Sequence, residues 1–128
     1  MPLTLPYPPS VNHYWRRVGL HTLISREGRT FRQNVCALLG GGGRRKPPTG
    51  GRIALAMDAF PPDHRRRDLD NIQKPVLDAL EHAGVYVDDS QIDLLVTRRR
   101  EVVPDGRLMV EVVEFPLCRC PVCGKDLS

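Results

Sequence analysis

The stretch HRRRDLDNIQKPVLDAL, His64 to Leu80, sets three arginines against two aspartates and then runs into a regular apolar pattern. From Asp70 onward, Ile72, Val76, Ala79, Leu80 and Ala83 recur at the spacing of a core-facing helical stripe. At about 100° per residue, Asp70, Lys74 and Asp78 fall in a narrow sector opposite that stripe. The spacing predicts a helix from Asp70 to His82. Asp70 and Gln73 are placed for a capping box, while Pro75 lacks an N–H and predicts a late start or a bend. The charges in front of the helix have a plain reading, a solvated run of mixed sign. The rest of the chain bears on whether they do more.

Working outward, RIALAMDAF alternates Ile53, Leu55, Met57 and Ala59 with a second face, which predicts a strand with one buried side. After Gly84, VYVDDSQIDLLVTRRR reads as a short strand, an acidic turn at Asp88 and Asp89, and a longer strand to about Arg100. Pro104 to Gly106 is turn chemistry, so Arg107 to Phe115 is expected to return as a terminal antiparallel hairpin. Upstream, Leu3 to Tyr7 is a short strand stopped by YPPS, Thr22 to Ile24 is strand-like, and Ser25 caps a helix running to about Leu39. GGGGRRKPPTGG, Gly40 to Gly51, suits neither helix nor central strand and reads as a flexible basic loop. The class is α+β: a small mixed sheet with two main helices in a single domain over residues 1–116, then a cysteine-bearing tail, 117–128.

At 128 residues the chain can bury a core without disulfides. An apolar fraction of 41% excludes a disordered chain, and no apolar run approaches the roughly 20 residues of a membrane span. The N-terminus lacks a basic region followed by a long apolar stretch, so a cytoplasmic protein with no membrane partner is expected. The net charge of +4 is modest, but the arginines come in blocks, Arg16-Arg17, Arg44-Arg45-Lys46, Arg65 to Arg67 and Arg98 to Arg100. Blocks create local positive potential, for which nucleic acid is the natural partner. Any one block alone reads equally well as a solubilising surface.

Asp68, Asp70 and Asp89 each sit where a regular element meets a loop, around one helix. Three ionised carboxylates brought together repel one another unless a hard divalent cation lies among them, and open carboxylate clusters suit Mg²⁺. The alternative is local: Asp68 or Asp70 caps the helix, and Asp88-Asp89 forms a turn.

The run RRRDLDNIQKPVLDALEHAGVYVDDSQI closely resembles the signature of the RusA family of Holliday junction resolvases. It shares the arginine run, DLDN, a lysine four after the second aspartate, DAL, and AG followed by paired aspartates. LPYPPSVNHYWR is similar to the family's proline-rich entrance with its asparagine, Asn12, and SREGRTFRQNV to its first helix. The resemblance covers about residues 3–115. It implies a homodimeric, Mg²⁺-dependent endodeoxyribonuclease, with Mn²⁺ as a substitute, that resolves four-way junction DNA by paired symmetric nicks in recombination and repair. It implies further that Asp68, Asp70 and Asp89 are the catalytic metal ligands, that Lys74 is the catalytic lysine, and that Arg67 contacts DNA. Asp88 is then a turn residue. Arg65, Arg66, Asn12 and Arg16 complete the expected DNA-binding set.

CRCPVCGKDLS supplies Cys118, Cys120 and Cys123, and CPVCG is similar to one knuckle of a zinc ribbon. Structural Zn²⁺ takes four ligands, so the fourth would come from a histidine or a second subunit. A reduced terminus without metal is the alternative. Cys36, within an apolar run, reads as a buried small residue, and Tyr14 and Trp15 as loop anchors rather than base-stacking groups. Three function classes remain open: the junction endonuclease, a non-catalytic basic DNA-binding protein, and a metal nuclease on another branched nucleic acid.

Overall fold

A computed structural model describes residues 2–40 and 49–127. In chain order the elements are β1 (Pro2–Leu5), the single-turn helix α1 (Val11–Tyr14), β2 (Trp15–Val18), β3 (His21–Ile24), α2 (Arg26–Gly40), β4 (Ile53–Phe60), α3 (Asp70–His82), a 3-10 turn (Asp89–Gln91), β5 (Ile92–Arg99) and β6 (Arg107–Glu114). Together they form one α+β domain around a mixed four-stranded sheet of order β1-β6-β4-β5, beside the two-stranded hairpin β2-β3.

The central strand is β4, parallel to β5 and antiparallel to β6. Its alternating residues explain the position: Ile53, Leu55, Met57 and Ala59 enter the core, while Ala54 on the other face is also buried. A single buried side was the expectation for this strand. The second face is covered because the C-terminal tail folds back across it, over Ala54 and Ala56. Small side chains there let the tail approach.

The expected hairpin between the last two strands does not form. After α3 carries the chain across to β5 in parallel, residues 100–106 pass over the end of β4. The Arg100 N–H donates to Ala59 O at 2.8 Å, and the Val103 N–H to Pro61 O at 3.0 Å. β6 is thereby delivered to the far edge of β4, where the register runs from Ile53↔Glu114 to Phe60↔Arg107. Gly106, at φ 68°, makes this turn and also permits a close approach: a Cβ there would lie 2.9 Å from Tyr7 Cβ and 3.0 Å from Pro62 Cδ.

On the core face, α2 and α3 pack against the sheet through Phe31, Val35, Ile72, Val76, Ala79 and Leu80. Helix α3 has the expected bounds, and it runs through Pro75, which is buried. The capping box at Asp70 is absent; Leu69 is the cap, and Gln73 Nε2 instead donates to Thr97 Oγ1 on β5 at 3.0 Å. Ser25 caps α2 as expected, accepting the Gly28 N–H at 2.9 Å, and its own hydroxyl donates to His13 O. Most of the basic loop, residues 41–48, lies outside the described residues. Its far end is fixed by buried Gln91, whose Nε2 donates to Thr49 O at 2.7 Å and Gly51 O at 2.8 Å.

Candidate active site

Helix α3 organises the acidic residues because its two ends present carboxylates toward the same surface. Asp70 opens the helix and Lys74 stands one turn further along. Glu81 lies eleven residues beyond Asp70, which at 1.5 Å per residue is about 16 Å along the axis and within about 20° of the same direction. The 3-10 turn then brings Asp89 back against this face. Its N–H donates to Glu81 Oε1 at 3.1 Å, and Lys74 Nζ meets Asp89 Oδ2 at 3.2 Å. Asp88 caps the turn, accepting the Ser90 N–H at 2.9 Å in a capping box with Gln91. That N–H, with lesser help from the Lys74 charge, holds the Asp88 carboxyl below its ordinary range.

Among the described residues, the carboxylates converging closely enough to share a cation are Glu81, Asp88 and Asp89, within 4.8 Å of one another. Of the residues singled out in the sequence, the structure therefore joins Lys74 to Asp89 and leaves Asp68 and Asp70 at the amino end of α3. Glu81 was not anticipated. Its signal was its place eleven residues after Asp70, on the Asp70–Lys74 line of the helix.

Asp58 is paired with Arg98 and Arg100, Asp63 with Arg67 and Arg65, Asp78 with Arg32, and Asp93 with Arg52. Among the described residues no cation engages the exposed carboxylates of Asp68 and Asp70. Asp58, Asp63, Asp78 and Asp93 each find an arginine; Asp68 and Asp70 do not, Asp88 instead caps the 3-10 turn, and Asp89 has only an exposed lysine. The donor set is hard oxygen throughout, which fits Mg²⁺ or Mn²⁺.

Beside Asp68 lies a cleft of about 440 Å³ lined by Tyr7, Arg65, Arg66, Arg67 and Arg99. Its neighbour, which shares the three arginines and Asp68, is bordered by His13 and Asn71. The three arginines differ in availability. Arg66 is exposed and makes no hydrogen bond or ion pair among the described residues. Arg65, with 84% of its side chain exposed, has only a long 3.7 Å contact to Asp63. Arg67 is 24% exposed and committed, with Nη1 2.6 Å from Asp63 Oδ1 and its guanidinium 5.7 Å from the Tyr7 ring centroid. Asn12 is exposed on α1, and Arg16 is exposed on the β2-β3 hairpin, both outside the linings of these two clefts.

A profile of the family described as Endodeoxyribonuclease RusA matches residues 6–113, which contain both the acidic face of α3 and the arginine cleft. The chain belongs to the RusA family of endodeoxyribonucleases. Among curated RusA relatives, the crossover junction endodeoxyribonuclease of Enterobacteria phage HK97 is 44% identical over 114 residues, covering 87% of this chain and 92% of that protein. The one from Enterobacteria phage 82 is 38% identical over 117 residues, covering 88% and 93%. The Escherichia coli K12 protein is 36% identical with the same coverage. RusA membership makes this chain a nuclease and places its acidic and basic residues in one enzyme.

The remaining candidates of the sequence serve the RusA scaffold. Tyr14 is fully buried and donates its hydroxyl to Asp78, which also accepts Arg32 Nη2 at 2.7 Å. Burial, followed by this bond to a carboxylate, pushes the Tyr14 hydroxyl well above its ordinary range. Trp15 packs edge-on to it, with ring centroids 4.9 Å apart. The pair anchors α1 and β2 against α2 and α3, as the anchor reading expected. Arg98 to Arg100 are likewise structural: Arg98 and Arg100 hold Asp58, and Arg99 donates to Arg67 O. Cys36 is half-buried against the core. No helix among the described residues is long and apolar enough to cross a membrane.

Proposed function

We propose that this chain is a Mg²⁺-dependent endonuclease that resolves Holliday junctions by paired symmetric nicks, acting as a homodimer in recombination and repair. The observation that carries the reading is the contrast among the aspartates: Asp58, Asp63 and Asp78 are arginine-paired, whereas Asp68 stands open in an arginine cleft, with Asp70 unpaired at the start of α3, in a member of the RusA family. The names of the relatives, crossover junction endodeoxyribonucleases, support the choice of substrate.

In this reading Asp68 and Asp70 from the amino end of α3 and Asp89 from the 3-10 turn, which the structure does not bring into one cluster, would close on the metal, with Glu81 and Asp88 adding negative potential beside Asp89. When bound, the ion supplies activation of the attacking water and charge stabilisation at the departing 3′ oxygen. Arg65 and Arg66 bind flanking phosphates, since their guanidiniums are exposed and nearly uncommitted. Arg67 positions the cleft wall through Asp63 and Tyr7. Lys74 counters charge developing on the scissile phosphate. Its bond to Asp89 is between two solvent-accessible groups and so can be exchanged for a phosphate oxygen at small cost. A four-way junction has two-fold symmetry, so two chains related by a two-fold axis would present one acidic site to each of two opposing strands.

The test is cleavage of a synthetic four-way junction beside a linear duplex of the same sequence, with and without Mg²⁺. Paired nicks in the junction alone, dependent on the ion and lost in Asp70→Asn with binding retained, are expected. Junction binding without cleavage in any divalent cation would reduce the chain to a DNA-binding protein. Equal cleavage of flaps and forks would make it a nuclease of broader structural selectivity.

A further inference from the structure

The motif CRCPVCGKD, Cys118 to Asp126, lies beyond the region matched by the RusA profile and on the opposite side of the sheet from the acidic face of α3. It is an ordered hairpin. The Leu127 N–H donates to Cys118 O and the Cys120 N–H to Lys125 O, both at 2.8 Å, with Arg119 opposite Asp126 in an antiparallel bridge. Side chains two apart on a strand share a face, so Cys118 and Cys120 point to the same side.

The turn of this hairpin wraps around one sulfur. The backbone N–H groups of Cys123 and Val122, with the Cys123 side chain, hold the Cys120 thiol below its ordinary range, while the three sulfurs do not all lie within 4.8 Å of one another. Gly124, at φ 76°, closes the turn by donating its N–H to Cys120 O at 2.8 Å. Backbone amides aimed at a cysteine sulfur stabilise negative charge on it, and a Cys-x-x-Cys turn closed by glycine directs both sulfurs to one point. The four cysteines are all unbridged. Arg98 Nη1 donates to Val122 O at 2.9 Å and ties the turn to the sheet. Between tail and sheet lies a hollow of about 630 Å³ that Glu111 and Glu114 also border.

We propose that Cys118, Cys120 and Cys123 bind one Zn²⁺ in each chain, with the fourth position filled by an oxygen donor, and that the ion fixes the fold of the tail hairpin. Three thiolates suit a soft-accepting tetrahedral ion, in contrast to the oxygen-only site on α3. The two sites thus select different metals by donor chemistry. The inference stands whether or not the acidic face cuts junctions, because it rests on other residues.

The experiment uses the full-length chain, purified under reducing conditions without chelator. Elemental analysis should find about one zinc per chain. Replacement by Co²⁺ should give thiolate-to-cobalt charge-transfer bands with the intensity of three sulfurs. Cys118→Ser, Cys120→Ser and Cys123→Ser should each weaken metal binding by roughly tenfold or more, whereas Cys36→Ser should leave it unchanged. A readout that needs no variant is alkylation followed by peptide mass mapping: Zn²⁺ should protect all three tail thiols, and a chelator should expose them. Lack of protection, a Cys120–Cys123 disulfide in the reduced preparation, or a stoichiometry of one ion per two chains would overturn the proposal. So would a Cys118→Ser protein that holds zinc as tightly as the parent.

Discussion

Asp63 makes the arginine run testable, because it determines which of three adjacent cations is free to meet DNA. The Arg67 guanidinium lies 2.6 Å from its carboxylate, and the Arg65 N–H donates to the same oxygen at 3.0 Å. These contacts depress the Asp63 carboxyl to about 2, so it is ionised in any ordinary assay and the pair is lost only as pH falls through that value. Arg67 is therefore neutralised within the protein, while Arg66 is not. Each phosphate contact contributes about 0.9 to the slope of log K against log salt, equivalent to a factor of about 3.5 in affinity between 50 and 200 mM. Arg66→Ala should make the slope shallower by about 0.9. Arg67→Ala should weaken binding mainly at low salt, by leaving Asp63 facing the DNA uncompensated, and flatten the slope by less than Arg66→Ala. Asp63→Asn should free Arg67 and steepen the slope by about 0.9. The double variant, Asp63→Asn with Arg67→Ala, should return close to the parent. Fluorescence anisotropy of a labelled junction, without divalent cation and across a salt series, reads all four. If Arg67→Ala flattened the slope as much as Arg66→Ala and Asp63→Asn changed nothing, the ion pair must open on binding, and the reasoning fails.

Lys74→Ala should lower single-turnover cleavage with little change in junction affinity, since the group is directed to the acidic face and not to the arginine cleft; an equal loss in both would remove its separate role. Gly106→Ala should destabilise the fold by about 1–2 kcal/mol from the positive φ alone, with more from the contact with Tyr7, and a urea midpoint indistinguishable from the parent would refute the close approach. For Tyr14 the folded state keeps its proton above the ordinary range, so its contribution is complete below about pH 10 and declines as pH rises further, when the unfolded chain ionises first. The stability advantage of the parent over Tyr14→Phe should accordingly narrow between pH 9 and 11 in urea titrations, and a constant gap would contradict the assigned environment.

How much of this was legible in the chain follows from the range of each interaction. Helix α3 could be read from Asp70 to His82 because the stripe of Ile72, Val76, Ala79 and Leu80 is a local period, and the cap at Ser25 because its partner, the Gly28 N–H, is three residues away. The Asp88 turn is equally local. Family membership too was carried by short-range spacing, DLDN to Lys74 and onward to the paired aspartates. Strand order was not legible: whether β6 returns to β5 or crosses to β4 depends on which edge is open once α3 has made its crossover, and on bonds from Arg100 and Val103 to the end of β4. The second buried face of β4 needed the tail, 60 residues later, to cover it. The roles of the arginines were hidden for the same reason. Arg98 finds Asp58 across 40 residues and Arg32 finds Asp78 across 46, so the blocks look alike in sequence and differ only in which carboxylate the fold brings to them. Glu81 joined the acidic face only when the 3-10 turn placed the Asp89 N–H against it. Local pattern determined the elements and the residue types of the site; long-range pairing decided which charges are spent on the scaffold and which are left open for a substrate.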